Sequence, residues 1–121
     1  MKITKVKLGI LSVPLRVPFK TALRSVSSVE DVNVEIHTDT GAIGYGEAPP
    51  TGAITGDTTG AILGALRDHI IKTIVGREVD DFESLMQAVN RCIVKNTSAK
   101  AAVDMALWDL YGQLYQIPVY K

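Results

Sequence analysis

The first 48 residues alternate apolar and polar side chains with the two-residue period of β-strands. Val6, Leu8 and Ile10 share one face, but the apolar set changes phase after Ile10, so we expect a β-bulge near residues 9–11. A second strand is predicted to turn a polar set that includes His37 toward solvent. Its apolar set, which we expect in the core, is Val32, Val34 and Ile36.

The third predicted strand, residues 42–48, has one almost bare face. The face opposite Ile43, Tyr45 and Glu47 carries only alanine and glycine. Because no side chain of any size fills that face, we expect another element to pack closely against it. The segment HTDTGA before this strand predicts a hairpin loop, with Gly41 available for a positive φ.

Residues 57–116 change to the 3.6-residue period of α-helices. A first helix is expected between a cap at Asp57 or Thr58 and Gly76, and a second is expected to open at Asp80 or Asp81. The apolar stripe of the first is Ile62, Leu63, Leu66, Ile70 and Ile74, and that of the second is Phe82, Leu85, Met86, Val89 and Ile93. The sequence therefore predicts an α+β fold, with a three-stranded antiparallel sheet followed by a helical bundle.

The last predicted helix, SAKAAVDMALWDLYGQLYQ, has two apolar stripes on nearly opposite sides. The first is Ala99, Ala102, Val103, Ala106, Leu107, Leu110 and Leu114, and the second is Ala101, Met105, Trp108, Gly112 and Tyr115. A small domain covers one stripe, so the other is expected to meet a neighbour. Periodicity alone leaves open whether that neighbour is a further domain or a second copy.

Composition narrows the classes of function. The 121 residues, 46% of them hydrophobic, suffice for one domain, and the 13 basic and 13 acidic residues balance. A net charge of zero argues against binding to nucleic acid or to an acidic membrane, and no stretch is long enough to span a bilayer. Cys92 is the single cysteine, which rules out an internal disulfide and favours a reducing, cytoplasmic setting.

No complete catalytic set is recognisable in the sequence. Asp104 and Asp109 project about 140° apart on their helix, and His37 and His69 lie in different elements without an acidic cluster, so no metal site is expected. The run Gly44–Glu47 lacks the third glycine of a dinucleotide loop, and two prolines follow it. We therefore expect no catalytic residue and no metal ligand in this chain.

Two segments between strands carry unexpected side chains. PFKTALRSVSS, residues 18–28, is predicted as a loop and contains Phe19, Leu23 and Arg24, whereas EAPPTGAITGD carries Ile54. Such loops are typical of a lid over a ligand, in which an arginine holds a carboxylate. The alternative is an arginine in solvent and an isoleucine tucked into the core.

Three stretches resemble the N-terminal capping domain of the enolase superfamily, muconate-lactonizing-enzyme subgroup, and especially dipeptide epimerases of the L-Ala-D/L-Glu type. They are PFKTALRSV, GAIGYGEAPPTGAITGD and SAKAAVDMALWDLYGQLYQIPVYK. In that family a modified TIM barrel follows the cap. The resemblance implies a cap over residues 1–117, with residues 118–121 starting the linker to a barrel that this chain does not contain.

The resemblance also implies which domain supplies the catalytic residues and which contacts the substrate side chain. The barrel would supply two lysine bases and three carboxylate ligands for Mg²⁺, and the complete enzyme would move the α-proton of the C-terminal residue of a dipeptide. This chain alone would be inactive. Arg24 matches the position that holds the glutamyl side-chain carboxylate, and Phe19, Thr51 and Ile54 match positions that line the pocket.

Two classes of function remain. The first is the specificity cap of such an epimerase, or of another subgroup enzyme such as o-succinylbenzoate synthase or N-succinylamino acid racemase. The second is a non-catalytic module that binds a ligand or self-associates. The expected partners are the barrel, a dipeptide and, as a homo-oligomer, further copies of the protein.

Overall fold

The computed structural model describes residues 1–121 and has an antiparallel sheet followed by helices, which confirms the predicted α+β class. Strands β1 (Ile3–Lys20), β2 (Ser25–Thr38) and β3 (Ile43–Ala48) lie in the order β1-β2-β3. Helix α1 runs through Thr59–Ala65, a π-helical turn at Leu66–Ile70 and Ile71–Ile74; α2 is Phe82–Arg91 and α3 is Thr97–Tyr115. None of these helices has the length and apolar character needed to cross a lipid bilayer.

Strand β2 is the centre of the sheet, and its predicted apolar set, Val32, Val34 and Ile36, is fully buried. The prediction that His37 is solvated is wrong. Lys5 of β1 and Ile43 of β3 flank it on either side, and its side chain is only 16% exposed. Its Nε2 atom lies 3.0 Å from Oε2 of Glu35. A central strand has neighbours on both sides, and they shield side chains on its outward face as well.

Strand β1 pairs with β2 without interruption from Lys5 to Pro14, so the bulge predicted near residues 9–11 is wrong. Ile10 is 58% exposed, because this edge strand runs beyond the helices. Its apolar residues there need not share one face, so no bulge is required. The irregularity lies further on, where residues 15–18 of β1 face Ser27 alone. Pro14 precedes that stretch and Pro18 is its last residue, and proline cannot donate a ladder hydrogen bond.

Helix α1 begins at the Thr58 cap, whose side chain accepts a hydrogen bond from the Ala61 amide at 3.1 Å. Its large buried side chains recur every four positions, at Ile62, Leu66, Ile70 and Ile74. In an α-helix, three steps of four residues would drift about 120° around the axis. The wider π-helical turn absorbs that drift and keeps all four side chains on the core face.

Helix α2 ends at Arg91, so Ile93 of the predicted stripe lies beyond it and is only half-buried. The connection to α3 passes through Lys95 and Asn96, which both have a positive φ, of 56° and 51°. The ammonium of Lys100 donates to the carbonyls of Asn90, at 3.0 Å, and Ile93, at 2.6 Å. A cation on these free carbonyls stabilises the end of α2.

Helix α3 packs directly on the bare face of β3, which confirms that something approaches that face closely. A Cβ atom on Gly46 would lie 1.8 Å from the carbonyl oxygen of Ala102, and one on Gly44 would lie 2.2 Å from that of Ala106. The outer edge of β3 is also closed by this helix. Asp109 accepts a hydrogen bond from the Tyr45 amide at 3.0 Å, and the Gln113 side chain donates to the Ile43 carbonyl at 2.9 Å.

Replacing Gly46 with alanine is therefore expected to lower the free energy of unfolding by about 2–4 kcal/mol, because the clash is with backbone and the helix must move. Chemical denaturation of the two proteins measures the difference. Gly64→Ala is the matched control: nothing lies within 4 Å of its added methyl group, and alanine favours the helix, so stability should rise by up to about 1 kcal/mol. Equal effects at the two glycines would contradict the close approach of β3 and α3.

Candidate functional site

The predicted loop at residues 18–28 is mostly strand, and in this respect the prediction is wrong. Strand β1 continues to Lys20 and β2 starts at Ser25, so only residues 21–24 form a turn. Phe19 pairs with Val26 and Lys20 with Ser25 across the ladder. Cross-strand pairing thus continues to the start of the turn and fixes the place of Phe19, and Arg24 is the last residue of the turn.

The end of the hairpin and the segment after β3 together line an open cavity of about 460 Å³. Its lining includes Phe19, Arg24, Ser28, Glu30, Pro50 and Thr51. Three of the four predicted pocket residues, Phe19, Arg24 and Thr51, therefore meet at one place. Ile54 does not line this cavity and is 58% exposed, so it is not tucked into the core either.

Arg24 is half-buried, and its Nε atom is enclosed without any hydrogen-bond partner. No other buried side-chain nitrogen or oxygen of the chain lacks a partner, and Arg24 forms no ion pair. The Arg24 guanidinium therefore makes no hydrogen bond within the chain, and its terminal Nη donors are available to an anionic acceptor that enters the cavity. This cavity is thus suited to a carboxylate.

The segment after β3 folds on itself. Thr51 accepts backbone hydrogen bonds from Ile54 at 2.9 Å and Thr55 at 2.8 Å, and the two threonine hydroxyls lie 2.8 Å apart. At its end, Asp57 accepts a hydrogen bond of 2.5 Å from the Ser98 hydroxyl at the start of α3. The segment is therefore anchored to the domain at Asp57 and presents Ile54 to solvent.

Helix α3 presents its second apolar stripe to solvent, as the two-stripe pattern predicted. Met105, Trp108 and Tyr115 are between 42% and 49% exposed. Trp108 and Tyr115 each pack on Tyr111, with ring centroids 5.7 Å and 4.8 Å apart. Met105, Trp108 and Tyr115, with Ile117 and Val119 from the segment that follows the helix, form an apolar surface that the domain itself leaves uncovered, and we call it the outer face of α3.

No three His, Cys, Asp or Glu side chains of the chain lie close enough together to hold a metal ion. Asp109 is occupied by the backbone of β3 and by Gln113, which donates to it at 3.0 Å. The residues of this chain therefore do not fit a Mg²⁺ site of the usual carboxylate type.

A carboxyl pair that the sequence did not indicate joins β2 and β3. Asp31 is 9% exposed, and Glu47 of β3 lies opposite Asn33, diagonally across from Asp31. Hydrogen bonding with Asp31 and the negative charge of Asp31 raise the pKa of Glu47 above its usual range, and the loss of some hydration adds a smaller contribution. The two residues are 16 positions apart in sequence and in different strands, so only the strand register could have revealed them.

Residues 3–121 match the family described as "Mandelate racemase / muconate lactonizing enzyme, N-terminal domain". The chain belongs to this family. It is 56% identical over 121 residues to the L-Ala-D/L-Glu epimerase of Clostridium acetobutylicum, covering 100% of the chain and 34% of that relative. The resemblance seen in the sequence to this family, and to its dipeptide epimerases, is confirmed.

Solved structures of the family have the same fold. The L-Ala-D/L-Glu epimerase from Bacillus subtilis, in a substrate-liganded complex, superposes with a TM-score of 0.96 at 42% identity, over 99% of this chain and 33% of that one. The dipeptide epimerase from Enterococcus faecalis V583, complexed with Mg and the dipeptide L-Leu-L-Tyr, gives 0.91 at 33% identity, over 99% and 34%. The chain thus spans about a third of the length of the relatives it matches.

The Asp31–Glu47 pair of this mandelate racemase/muconate lactonizing enzyme N-terminal domain should make its thermal stability depend on pH. A carboxyl group with a raised pKa stabilises the fold below its unfolded pKa, and that contribution is lost as the pH rises through the folded pKa. Glu47→Gln removes the repulsion, so it should raise Tm at pH 7 by less than about 4 °C and should not raise it at pH 3. Thermal unfolding at the two pH values tests this.

Asp31→Asn is the matched control, because it removes the other half of the same repulsion. Each single substitution should stabilise at pH 7, and the double variant should gain little more. A Tm at pH 7 that falls in both single variants would show that the pair is not repulsive.

Proposed function

We propose that this chain is the substrate-specificity cap of a Mg²⁺-dependent dipeptide epimerase. The complete enzyme inverts the C-terminal residue of L-Ala-L/D-Glu-type dipeptides by removing its α-proton on one face and returning a proton on the other. The observation that carries the proposal is the Arg24 guanidinium, which has no ion-pair partner within the chain and lines a cavity with Phe19 and Thr51. The 56% identity to an L-Ala-D/L-Glu epimerase supports it.

In this proposal Arg24 binds the side-chain carboxylate of the glutamyl residue. The guanidinium offers a rigid fork of donors, and both oxygens of a carboxylate fit that fork. The half-buried position of Arg24 strengthens the pairing, since less water competes for the donors. Specificity for an acidic residue then follows from a cation that has no internal partner.

Phe19, Thr51 and Ile54 surround the bound dipeptide and exclude water in this proposal. Phe19 and Thr51 already line the cavity, whereas Ile54 projects outside it. Ile54 reaches the substrate by a movement of the segment between β3 and Asp57, whose far end is fixed on Ser98. Binding and closure are thus separate contributions of the two segments.

The catalytic groups belong to a following barrel domain in this proposal. Relatives about three times as long as this chain support the presence of such a domain. The outer face of α3 is the surface that packs on it, because an uncovered apolar face of this composition is typical of a contact. The cap ends at residue 117, and residues 118–121 begin the linker. The barrel also supplies the Mg²⁺ ligands, which fits the lack of a ligand cluster in this chain.

The same outer face of α3 favours a second candidate, a non-catalytic module that self-associates through Met105, Trp108 and Tyr115. A different substrate is also consistent with the family, since the Enterococcus faecalis relative is complexed with the apolar dipeptide L-Leu-L-Tyr. The cap of an o-succinylbenzoate synthase or an N-succinylamino acid racemase remains an alternative of that kind. Homo-oligomer formation and a cytoplasmic location stay predictions.

The first prediction of this proposal is that residues 1–121 alone are inactive. Because the proposal places the base in the barrel and this chain has no metal-ligand cluster, we expect no exchange of the α-proton of L-Ala-L-Glu in D₂O, with or without Mg²⁺. NMR spectroscopy of the dipeptide measures the exchange. Deuterium incorporation above the rate without protein would show that this chain has catalytic groups, and would contradict their assignment to the barrel.

The second prediction concerns Arg24 in the complete protein. Arg24→Met should lower kcat/KM for L-Ala-L-Glu by roughly 30- to 1000-fold, since a charge-assisted contact in a closed site contributes about 2–4 kcal/mol. Turnover of L-Ala-L-Leu should change far less. Steady-state kinetics with both dipeptides measures the selectivity.

The control for this substitution is Arg67→Met, which removes an arginine whose side chain is 68% exposed on α1 and whose ion-pair partner is its neighbour Asp68. It should change kcat/KM for either dipeptide by no more than about twofold. Small and equal effects of the two substitutions would show that Arg24 does not contact the substrate, and the proposed glutamyl specificity would lose its support.

A further inference from the structure

The turn that presents Arg24 connects its strands without any residue at positive φ. Two-residue hairpin turns usually need a positive φ at one or both central residues, because only then does the turn match the twist of the strands. Here the central residues are Ala22 and Leu23, and neither has a positive φ. The residues that do are Gly41, Gly56, Gly76, Lys95, Asn96 and Gln116.

The side chain of Thr21 closes this turn instead. The Thr21 amide donates to the Arg24 carbonyl at 2.8 Å, as in an ordinary hairpin. The Arg24 amide, however, donates to the Thr21 hydroxyl oxygen at 3.2 Å, and the Leu23 amide donates to the same oxygen at 3.3 Å. That hydroxyl in turn lies 3.4 Å from the Arg24 carbonyl and can donate to it. One side-chain oxygen therefore serves the backbone of both Leu23 and Arg24.

Little else holds the turn in shape. Ala22 is exposed and Leu23 is 70% exposed, so no packing against the domain fixes them. The last ladder pair before the turn is Lys20 with Ser25. Because the amide and the carbonyl of Arg24 both bond to Thr21, the threonine determines the direction in which the Arg24 side chain leaves the backbone.

We propose that Thr21 is a positioning residue, whose hydroxyl sets the orientation of Arg24 and through it the preference for acidic dipeptides. This inference rests on the proposed function, in which Arg24 holds the glutamyl carboxylate. The orientation of Arg24 matters because a guanidinium binds both oxygens of a carboxylate only when two of its donors face them, and a guanidinium that tilts away loses one of these bonds. The hydroxyl, and not the size of the side chain, is the required feature.

The test compares Thr21→Val with Thr21→Ser in the complete protein. Valine keeps the shape and removes the acceptor for two amides, so kcat/KM for L-Ala-L-Glu should fall roughly 5- to 30-fold, mainly through KM. Turnover of L-Ala-L-Leu should stay within about twofold. Serine keeps the hydroxyl and should leave both substrates within about twofold of the unmodified protein.

A second arm uses Arg24→Met as the background. If Thr21 acts through Arg24, Thr21→Val should have almost no further effect on L-Ala-L-Glu once the arginine is gone, so that the two substitutions are strongly non-additive. Amide hydrogen exchange provides a readout that does not need turnover. The Leu23 and Arg24 amides should lose protection in Thr21→Val and keep it in Thr21→Ser, while Tm changes little.

The outcomes separate the two proposals. The role of Thr21 alone is overturned if Arg24→Met loses kcat/KM selectively for L-Ala-L-Glu while Thr21→Val changes nothing. It is also overturned if Thr21→Val affects both dipeptides equally, or if Thr21→Ser shows the same loss as Thr21→Val. An unselective Arg24→Met, or a complete protein that turns over neither dipeptide, overturns the proposed function. In that case amide exchange still decides whether the Thr21 hydroxyl holds the turn.

Discussion

At Gly44 and Gly46 the backbone of β3 lies directly against the backbone of α3, and the arrangement of the sheet and helices depends on this contact. Gly44 and Gly46 leave space on the strand, and Ala102 and Ala106 are the helix residues that fill it. A helix this close to an edge strand also reaches over the central strand β2 and buries it. The same contact commits one side of α3 to the sheet, so Met105 and Trp108 on the other side remain outward.

Strand β2 connects this core to the candidate site. Its second half lies in the core, whereas its first half continues past the helices and contributes Val26 and Ser28 to the cavity. The extra residues of β1 at positions 15–18 let the two strands diverge and pair again at Phe19. The cavity therefore lies at the far end of the β1–β2 hairpin, whose other end is part of the core.

Patterns that reflect burial were predictable from the sequence. The bare face of β3 allowed no other explanation than a close neighbour, and the two stripes of α3 correctly indicated a face that the domain does not cover. The phase change after Ile10 misled because β1 has exposed residues on both faces there, and alternation carries information only where one face is buried. The π-helical turn in α1 and the Asp31–Glu47 pair depend on tertiary register, which periodicity does not contain. Phe19 and Arg24 stood out by residue type in a segment predicted as a loop, and the pocket position of Thr51 came from family resemblance. The unpaired Nε of Arg24 could not be foreseen from residue types.

The 19 buried residues of the hydrophobic core include Ile3 and Val32 but nothing between them, and none lies between Ala48 and Ile62. The two segments that form the candidate site thus contribute no residue to the core. Substitutions on such surfaces usually change stability by about 0.5 kcal/mol or less. Under the proposed function, a change of substrate preference needs substitutions only in a short hairpin tip and one loop, and the residues of the hydrophobic core can stay the same.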